Sequence, residues 1–154
     1  MQLTKFTDLS LRVLMYLTQE DRLIPVTINE ISLQFDVPRN HFIKVVTRLN
    51  KLGWLSATRG RNGGLRLGVI ADKLRLGDML RELENATALI DCAVPPCTLK
   101  GQCHLKEILD IGLKEFYEHM NTFTLADIVN VKTKSAVINM HKQYQVLLQS
   151  RDVA

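Results

Sequence analysis

Three cysteines are the residues of this chain best suited to chemistry, and all of them lie within one stretch of 12 residues. Cys92, Cys97 and Cys103 are spaced C-x4-C-x5-C. Thiolates are soft ligands that suit iron–sulfur clusters, zinc and copper(I). Structural zinc sites use closer cysteine pairs and four ligands, so this longer spacing favours an iron–sulfur cluster over zinc. Zinc and a group of inert thiols remain alternatives, and three thiolates leave one metal position for another residue.

Charge is unevenly distributed along the chain. The net charge is +4, from 20 Lys and Arg against 16 Asp and Glu, and the excess of basic residues lies in the first half. A basic half joined to a mildly acidic one indicates that the basic half meets a polyanion. On charge alone, solvated lysines and arginines without a partner are an equal alternative.

Apolar residues at three- and four-residue spacing predict a series of helices, and two short strands flank a basic tip rich in glycine. The predicted helices span residues 5–18, 28–35, 38–52, 76–83 and 104–120, with a short one near 124–129, and the predicted strands span 55–58 and 65–67. Thr27 and Glu30 have the spacing of a capping box, and Gly53 suits a helix end.

These elements predict a mainly α fold: a winged helix-turn-helix with a two-stranded wing and a long C-terminal dimerisation helix. Residues 1–75 would form the DNA-binding region and 76–130 the cluster-binding loop and dimerisation helix. Residues 131–154 would be a C-terminal tail of unknown role, with a helical arm as its expected structure. The helix over 104–120 is apolar over a wide arc. That width favours a dimer interface over burial within its own subunit.

The third predicted helix separates into two faces, as a DNA-recognition helix does. Its apolar residues share one side, and basic residues share the other. Arginine and asparagine in its first turn are suited to bidentate contacts with guanine and adenine. The predicted DNA contacts on the helix and the wing are Arg39, Asn40, His41, Lys44, Arg48, Lys51, Arg59, Arg61 and Asn62. The alternative is a structural helix whose basic face is only solvated. The combination of this helix with a turn and a basic hairpin favours DNA binding over that alternative.

Several motifs resemble the winged-helix iron–sulfur transcriptional regulators, and among them the nitric-oxide-sensing repressors most of all. The similarity spans about residues 1–130. It is carried by Leu3-Thr-Lys-Phe-Thr-Asp8 with Leu11-Arg12, Val37-Pro-Arg-Asn-His41 with Lys44, Arg59-Gly-Arg-Asn-Gly-Gly64 with Leu67, the three cysteines, and Phe123-Thr-Leu-Ala-Asp127. Leu9-Ser10, Trp54 and the tail over 132–154 depart from the family pattern.

The resemblance implies a homodimer that binds a palindromic DNA operator and carries one iron–sulfur cluster per subunit. Cys92, Cys97 and Cys103 would hold the cluster, with Asp8 of the partner subunit as the fourth ligand. A [4Fe–4S] cluster is favoured, and a [2Fe–2S] form is expected as a product of oxidative damage. Nitric oxide would be the signal that releases genes for nitrosative-stress defence. Without the resemblance, Asp8 is an acidic residue that favours the positive end of a helix.

Two other functions remain open from the sequence: a regulator of the same fold that senses iron–sulfur status or redox state, and a small iron–sulfur electron carrier. An enzyme is not expected, because the sequence has no nucleophile–base motif, phosphate loop or recognisable carboxylate pair. The chain lacks an apolar run of membrane-spanning length and a segment typical of a secretory signal, so we expect a cytoplasmic protein without a membrane partner.

Overall fold

The computed structural model describes residues 2–19, 22, 24–60, 63–85 and 88–152. Its elements, in chain order, are α1 (Lys5–Leu17), α2 (Ile28–Phe35), α3 (Arg39–Lys51), β1 (Leu55–Ala57), β2 (Leu65–Leu67), α4 (Leu76–Glu84), α5 (His104–Met120), α6 (Leu125–Ile128) and α7 (Val131–Asp152). No helix among these described residues is long and apolar enough to cross a membrane.

Side-chain caps begin the first two helices. The Thr4 hydroxyl accepts the Thr7 backbone N–H at 3.2 Å at the start of α1, and the Thr27 hydroxyl accepts that of Glu30 at 3.1 Å at the start of α2. Each cap satisfies a backbone donor that has no partner within the helix. Asp36 then ends α2 with a left-handed backbone, φ 49°, which turns the chain into α3.

The wing is a two-stranded antiparallel sheet in which Leu55 lies opposite Leu67 and Ala57 opposite Leu65. The backbone of Leu65 also pairs with Val26 just before α2, through an N–H to carbonyl distance of 2.8 Å. This pairing fixes the wing to the helix-turn-helix. The structure therefore confirms the expected mainly α winged helix-turn-helix with its two-stranded wing and long C-terminal helix.

One hydrophobic core joins the first three helices to the wing. It includes Leu14, Phe42, Leu49 and Leu55, each of which is at most 2% exposed. Burying such a side chain stabilises the fold by about 1.5–3 kcal/mol relative to leaving it in water. Burial of this side of α3 leaves its opposite side at the surface.

The tail forms helix α7, which packs against α2 and the end of α1 around a buried ion pair. The Arg22 guanidinium donates to the Glu30 carboxylate, and both side chains are at most 5% exposed. The Tyr16 hydroxyl donates to Glu30 at 2.7 Å. His141 of α7 stacks on the Tyr16 ring with centroids 4.0 Å apart. A polar cluster thus attaches α7 to the helix-turn-helix.

Candidate functional site

The cysteine loop, residues 92–103, lies between α4 and α5, and contacts between these two helices fix its ends. Leu80, Leu113 and Tyr117 form a small apolar cluster between them. Gly77 of α4 approaches α5 so closely that a Cβ there would lie 2.1 Å from the Tyr117 carbonyl oxygen. A side chain at position 77 would separate the helices and move the loop.

The three cysteines are free thiols with different exposure. Cys92 and Cys103 are half-buried and Cys97 is exposed. Backbone hydrogen bonds turn the loop: the Cys97 N–H donates to the Cys92 carbonyl at 3.2 Å, and the Lys100 N–H to that of Cys97 at 3.1 Å. Across the described part of this single chain, no three His, Cys, Asp or Glu side chains are grouped closely enough to hold a metal ion.

The donor set suits a soft metal centre by its chemistry. Three thiols on one loop, none of them in a disulfide, match the ligands of an iron–sulfur cluster. Binding such a group requires the loop to bring the three sulfur atoms together.

Asp8, the proposed fourth ligand, lies on α1 as a half-buried carboxylate. It accepts hydrogen bonds from Arg12 at 2.7 Å and Lys5 at 3.1 Å. Burial works to raise the pKa of Asp8, but the hydrogen bonds and charges of Arg12 and Lys5 outweigh it and hold the pKa below its ordinary value. The carboxylate therefore stays ionised near neutral pH, as a metal ligand must.

The surface of α3 presents most of the predicted DNA contacts to solvent. The exposed residues are Arg39, Asn40, His41, Lys44 and Lys51 on α3 and Arg59 on the wing. Arg39 donates to the Asn29 side chain of α2 at 2.7 Å, which orients its guanidinium. Arg61 and Asn62, also predicted to contact DNA, lie outside the described residues.

A cleft of about 520 Å³ separates the wing from α2 and α3, and Asn29, Arg39, Asn50 and Arg59 line it. The Asn50 side chain accepts the Ala57 backbone N–H at 3.0 Å and so ties α3 to the wing. A cleft lined by amides and arginines suits the phosphate backbone of DNA.

Helix α4 makes two side-chain links that the sequence did not reveal. Glu82 pairs with Arg48 of α3, and Glu84 accepts the Thr4 backbone N–H at 2.8 Å at the start of α1. Arg48, predicted to contact DNA, thus engages a carboxylate of its own chain. The helix that leads into the cysteine loop contacts both the helix that carries Asp8 and the recognition helix. The two pairs of residues are 34 and 80 positions apart in the chain, so no local sequence pattern predicts these contacts.

A helix-turn-helix with a wing and an exposed basic third helix defines a winged-helix DNA-binding protein of the transcription-regulator class. Residues 3–131 match the Rrf2 family, described as iron-dependent transcriptional regulators, and the chain belongs to this family. The expectation that the protein is a DNA-binding regulator and not an enzyme is thereby confirmed. The family match ends at the first residue of α7.

Solved structures share the fold at low sequence identity. CymR, the global cysteine regulator of B. subtilis, is 20% identical with a TM-score of 0.67, over 83% of this chain and 95% of CymR. IscR from T. potens is 19% identical with a TM-score of 0.67, over 88% of this chain and 90% of IscR. A transcriptional regulator from Lactobacillus plantarum is 20% identical with a TM-score of 0.67, over 91% of this chain and 97% of its own.

Proposed function

We propose that this Rrf2-family regulator is a nitric-oxide-sensitive repressor whose iron–sulfur cluster controls operator binding and derepresses nitrosative-stress defence genes. The observation that carries the proposal is the loop of three free thiols in a family of iron-dependent regulators. The C-x4-C-x5-C spacing, with Asp8 on α1, resembles the nitric-oxide-sensing repressors.

Cys92, Cys97 and Cys103 are the proposed cluster ligands, and Asp8 of the partner subunit is the fourth. A bound [4Fe–4S] cluster would supply iron that reacts with nitric oxide, and a [2Fe–2S] form would be the product of oxidative damage. A carboxylate is a hard ligand that binds soft iron–sulfur centres weakly, so the Asp8 position is the one most easily opened.

The dimer presents two α3 helices about one DNA turn apart, roughly 34 Å, to a palindromic operator. Their spacing depends on α4, because α4 contacts α1 through Glu84 and α3 through Glu82. Loss of the Asp8 link frees α1 from the partner's cysteine loop and changes the spacing of the two α3 helices. A difference of a few kcal/mol in DNA affinity between the two states suffices for a switch.

Residues 1–75 serve as the DNA-binding region and 76–130 as the cluster and dimerisation region in this proposal. The dimer interface is the apolar side of α5, where Leu105, Ile108 and Ile111 are at least half exposed in the single chain. Helix α7 braces the helix-turn-helix through His141, which contacts Arg22 and stacks on Tyr16.

Asp8→Ala tests the proposal, with Asp72→Ala as the matched control because Asp72 is an exposed carboxylate in the same half of the chain. We expect Asp8→Ala to alter the visible spectrum of the anaerobically purified protein and to reduce its response to nitric oxide. Asp72→Ala should preserve both. The proposal fails if Asp8→Ala leaves spectrum and response unchanged.

A regulator of the same fold that senses iron–sulfur status or redox state is the second candidate. The exposed free thiol of Cys97 favours it, since an accessible thiol is open to oxidation. Operator affinity measured after nitric oxide, after oxygen and after iron depletion separates the two. Loss of binding with nitric oxide alone supports the first candidate, and loss with oxygen or iron depletion alone supports the second.

A further inference from the structure

Lys106, in the first turn of α5, lines two cavities, and each cavity has a different cysteine in its wall. One cavity, of about 660 Å³, is lined by Cys103, Lys106 and Asp110 among others. A second, of about 510 Å³, is lined by Cys92 and again by Lys106. Because Lys106 lines both cavities, its side chain faces the surroundings of Cys92 and of Cys103.

Asp110 holds Lys106 in this position. The Lys106 ammonium donates to Asp110 Oδ2, one helical turn further along α5. The other oxygen, Oδ1, is buried and has no hydrogen-bond partner in the part of the chain that the structure describes. The carboxylate is therefore directed at Lys106, its one described donor, and fixes the ammonium next to the cysteine loop.

The surroundings keep Lys106 charged. The hydrogen bond that Lys106 donates to Asp110 raises the pKa of Lys106, against a smaller opposing effect of desolvation, and negative charge at Asp110, Cys92 and Cys103 raises it further. Three thiolates and a carboxylate around one metal group concentrate negative charge. A fixed cation beside them stabilises the more negative, reduced form of that group.

We propose that Lys106, held by Asp110, is the counter-cation of the cysteine site: a positioning residue that places positive charge beside Cys92 and Cys103 and raises the reduction potential of the cluster bound there. The effect on the potential rests on the proposed function. The placement of the Lys106 charge beside the sulfur atoms of Cys92 and Cys103 is independent of the proposed function.

The first experiment uses the cluster-free protein and measures the local charge at each sulfur atom. Each cysteine is alkylated with anionic iodoacetate and with neutral iodoacetamide, and mass spectrometry gives the rate at each site. The ratio of the two rates reports the local potential and cancels differences in thiol reactivity. A nearby cation raises this ratio because it attracts the anionic reagent.

We expect Lys106→Gln to lower the ratio of the two rates at Cys92 and Cys103 by about two- to fivefold at low salt. A change of this size is what one unit charge a few ångströms away produces in water. Lys106→Arg should restore the ratio. Lys132→Gln is the matched control, since it removes the same charge from an exposed position on α7 that lines neither cavity, and it should leave the ratio unchanged. Unchanged ratios at both cysteines in Lys106→Gln would overturn the proposal.

The second experiment measures the midpoint potential of the bound cluster by spectroelectrochemistry. Lys106→Gln should shift the potential to a more negative value, and Lys106→Arg and Lys132→Gln should leave it close to that of the unmodified protein. A lowered rate ratio with an unchanged potential would overturn the role in tuning. If the unmodified protein takes up no cluster, the proposed function fails, and the alkylation ratios still decide where the charge lies.

Discussion

Glu30 carries no exposed surface, and its carboxylate accepts hydrogen bonds from the Tyr16 hydroxyl and the Arg22 guanidinium. A buried ion pair adds little net stability compared with apolar residues of similar size, but removing one partner leaves the other charge buried and uncompensated. Glu30 therefore supplies the negative charge that compensates the buried Arg22 guanidinium.

Glu30→Gln keeps the shape of the side chain and removes its charge, which leaves Arg22 unpaired. We expect the free energy of unfolding to fall by about 3–5 kcal/mol. Glu118→Gln is the control, because it breaks the exposed Lys114–Glu118 pair and should cost no more than about 1 kcal/mol. Urea unfolding of both variants measures the difference, and equal effects would refute this account of the pair.

Residues whose type and local spacing carry the chemistry can be predicted from the sequence, whereas residues whose partners lie far away in the chain cannot. The cysteine site and the basic side of α3 can be predicted from the sequence because the residues of each lie within a short stretch of the chain. The contact of Arg22 with His141 joins residues 119 apart, and arginine is a mostly exposed residue type whereas histidine is intermediate, so neither type predicts burial here. Only the packing of α7 against α2 brings these side chains together.

Arg39 is exposed in the first turn of α3, where recognition helices contact base edges. Arg39→Ala should weaken operator binding by about 1–3 kcal/mol, the range for one bidentate arginine–guanine contact. Fluorescence anisotropy on an operator selected from random duplexes measures this loss, with Lys114→Ala as a control on α5. Equal affinity of Arg39→Ala and the unmodified protein would exclude Arg39 from base recognition.

Among the elements, α7 shows why part of the fold could not be predicted from the sequence. Its apolar residues are not confined to one side: Val137 and Tyr144 are buried, whereas Val146 and Leu147 are exposed. The spacing of its apolar residues therefore predicts no clear inward face for α7. The side of α7 that contacts the rest of the protein carries His141 instead. The helices α1 to α4, by contrast, are predicted close to their observed bounds because their inward faces are regularly apolar.

His141 makes the attachment of α7 sensitive to pH. Its Nδ1 accepts from Arg22 and its Nε2 donates to the Tyr16 carbonyl at 3.0 Å, a pattern that requires the neutral ring. Burial lowers the pKa of His141 below its ordinary 6.5, and the positive charge of Arg22 lowers it further, against the opposing effects of the Tyr16 carbonyl and Glu30.

Because the unfolded chain binds the proton more readily, the stability contributed by neutral His141 is present above the unfolded pKa and is lost as pH falls below it. We expect the free energy of unfolding to decrease from about pH 7.5 to about pH 5.5, and His141→Gln to show a smaller decrease. Urea unfolding across this range provides the test. Identical pH dependence in the two proteins would contradict the role of His141.

For the whole molecule, the side of α5 that carries Leu105, Ile108 and Ile111 needs a covering surface. Contiguous apolar area of this kind marks an interaction site in a soluble protein. We expect Ile108→Glu to shift the protein from dimer to monomer in light scattering and to weaken operator binding. Lys114→Glu, an exposed change on the same helix, should preserve the dimer. A dimeric Ile108→Glu variant would place the interface elsewhere.

The proposed regulation depends on a metal group at the cysteine loop that responds to nitric oxide. Visible absorption of the anaerobically purified protein, followed during titration with nitric oxide and paired with operator-binding measurements, tests this most directly. We predict a brown absorption band that bleaches as nitric oxide is added, with loss of operator binding in the same range. A protein that stays colourless after reconstitution with iron and sulfide, or a bleached protein that binds DNA as before, would contradict the account.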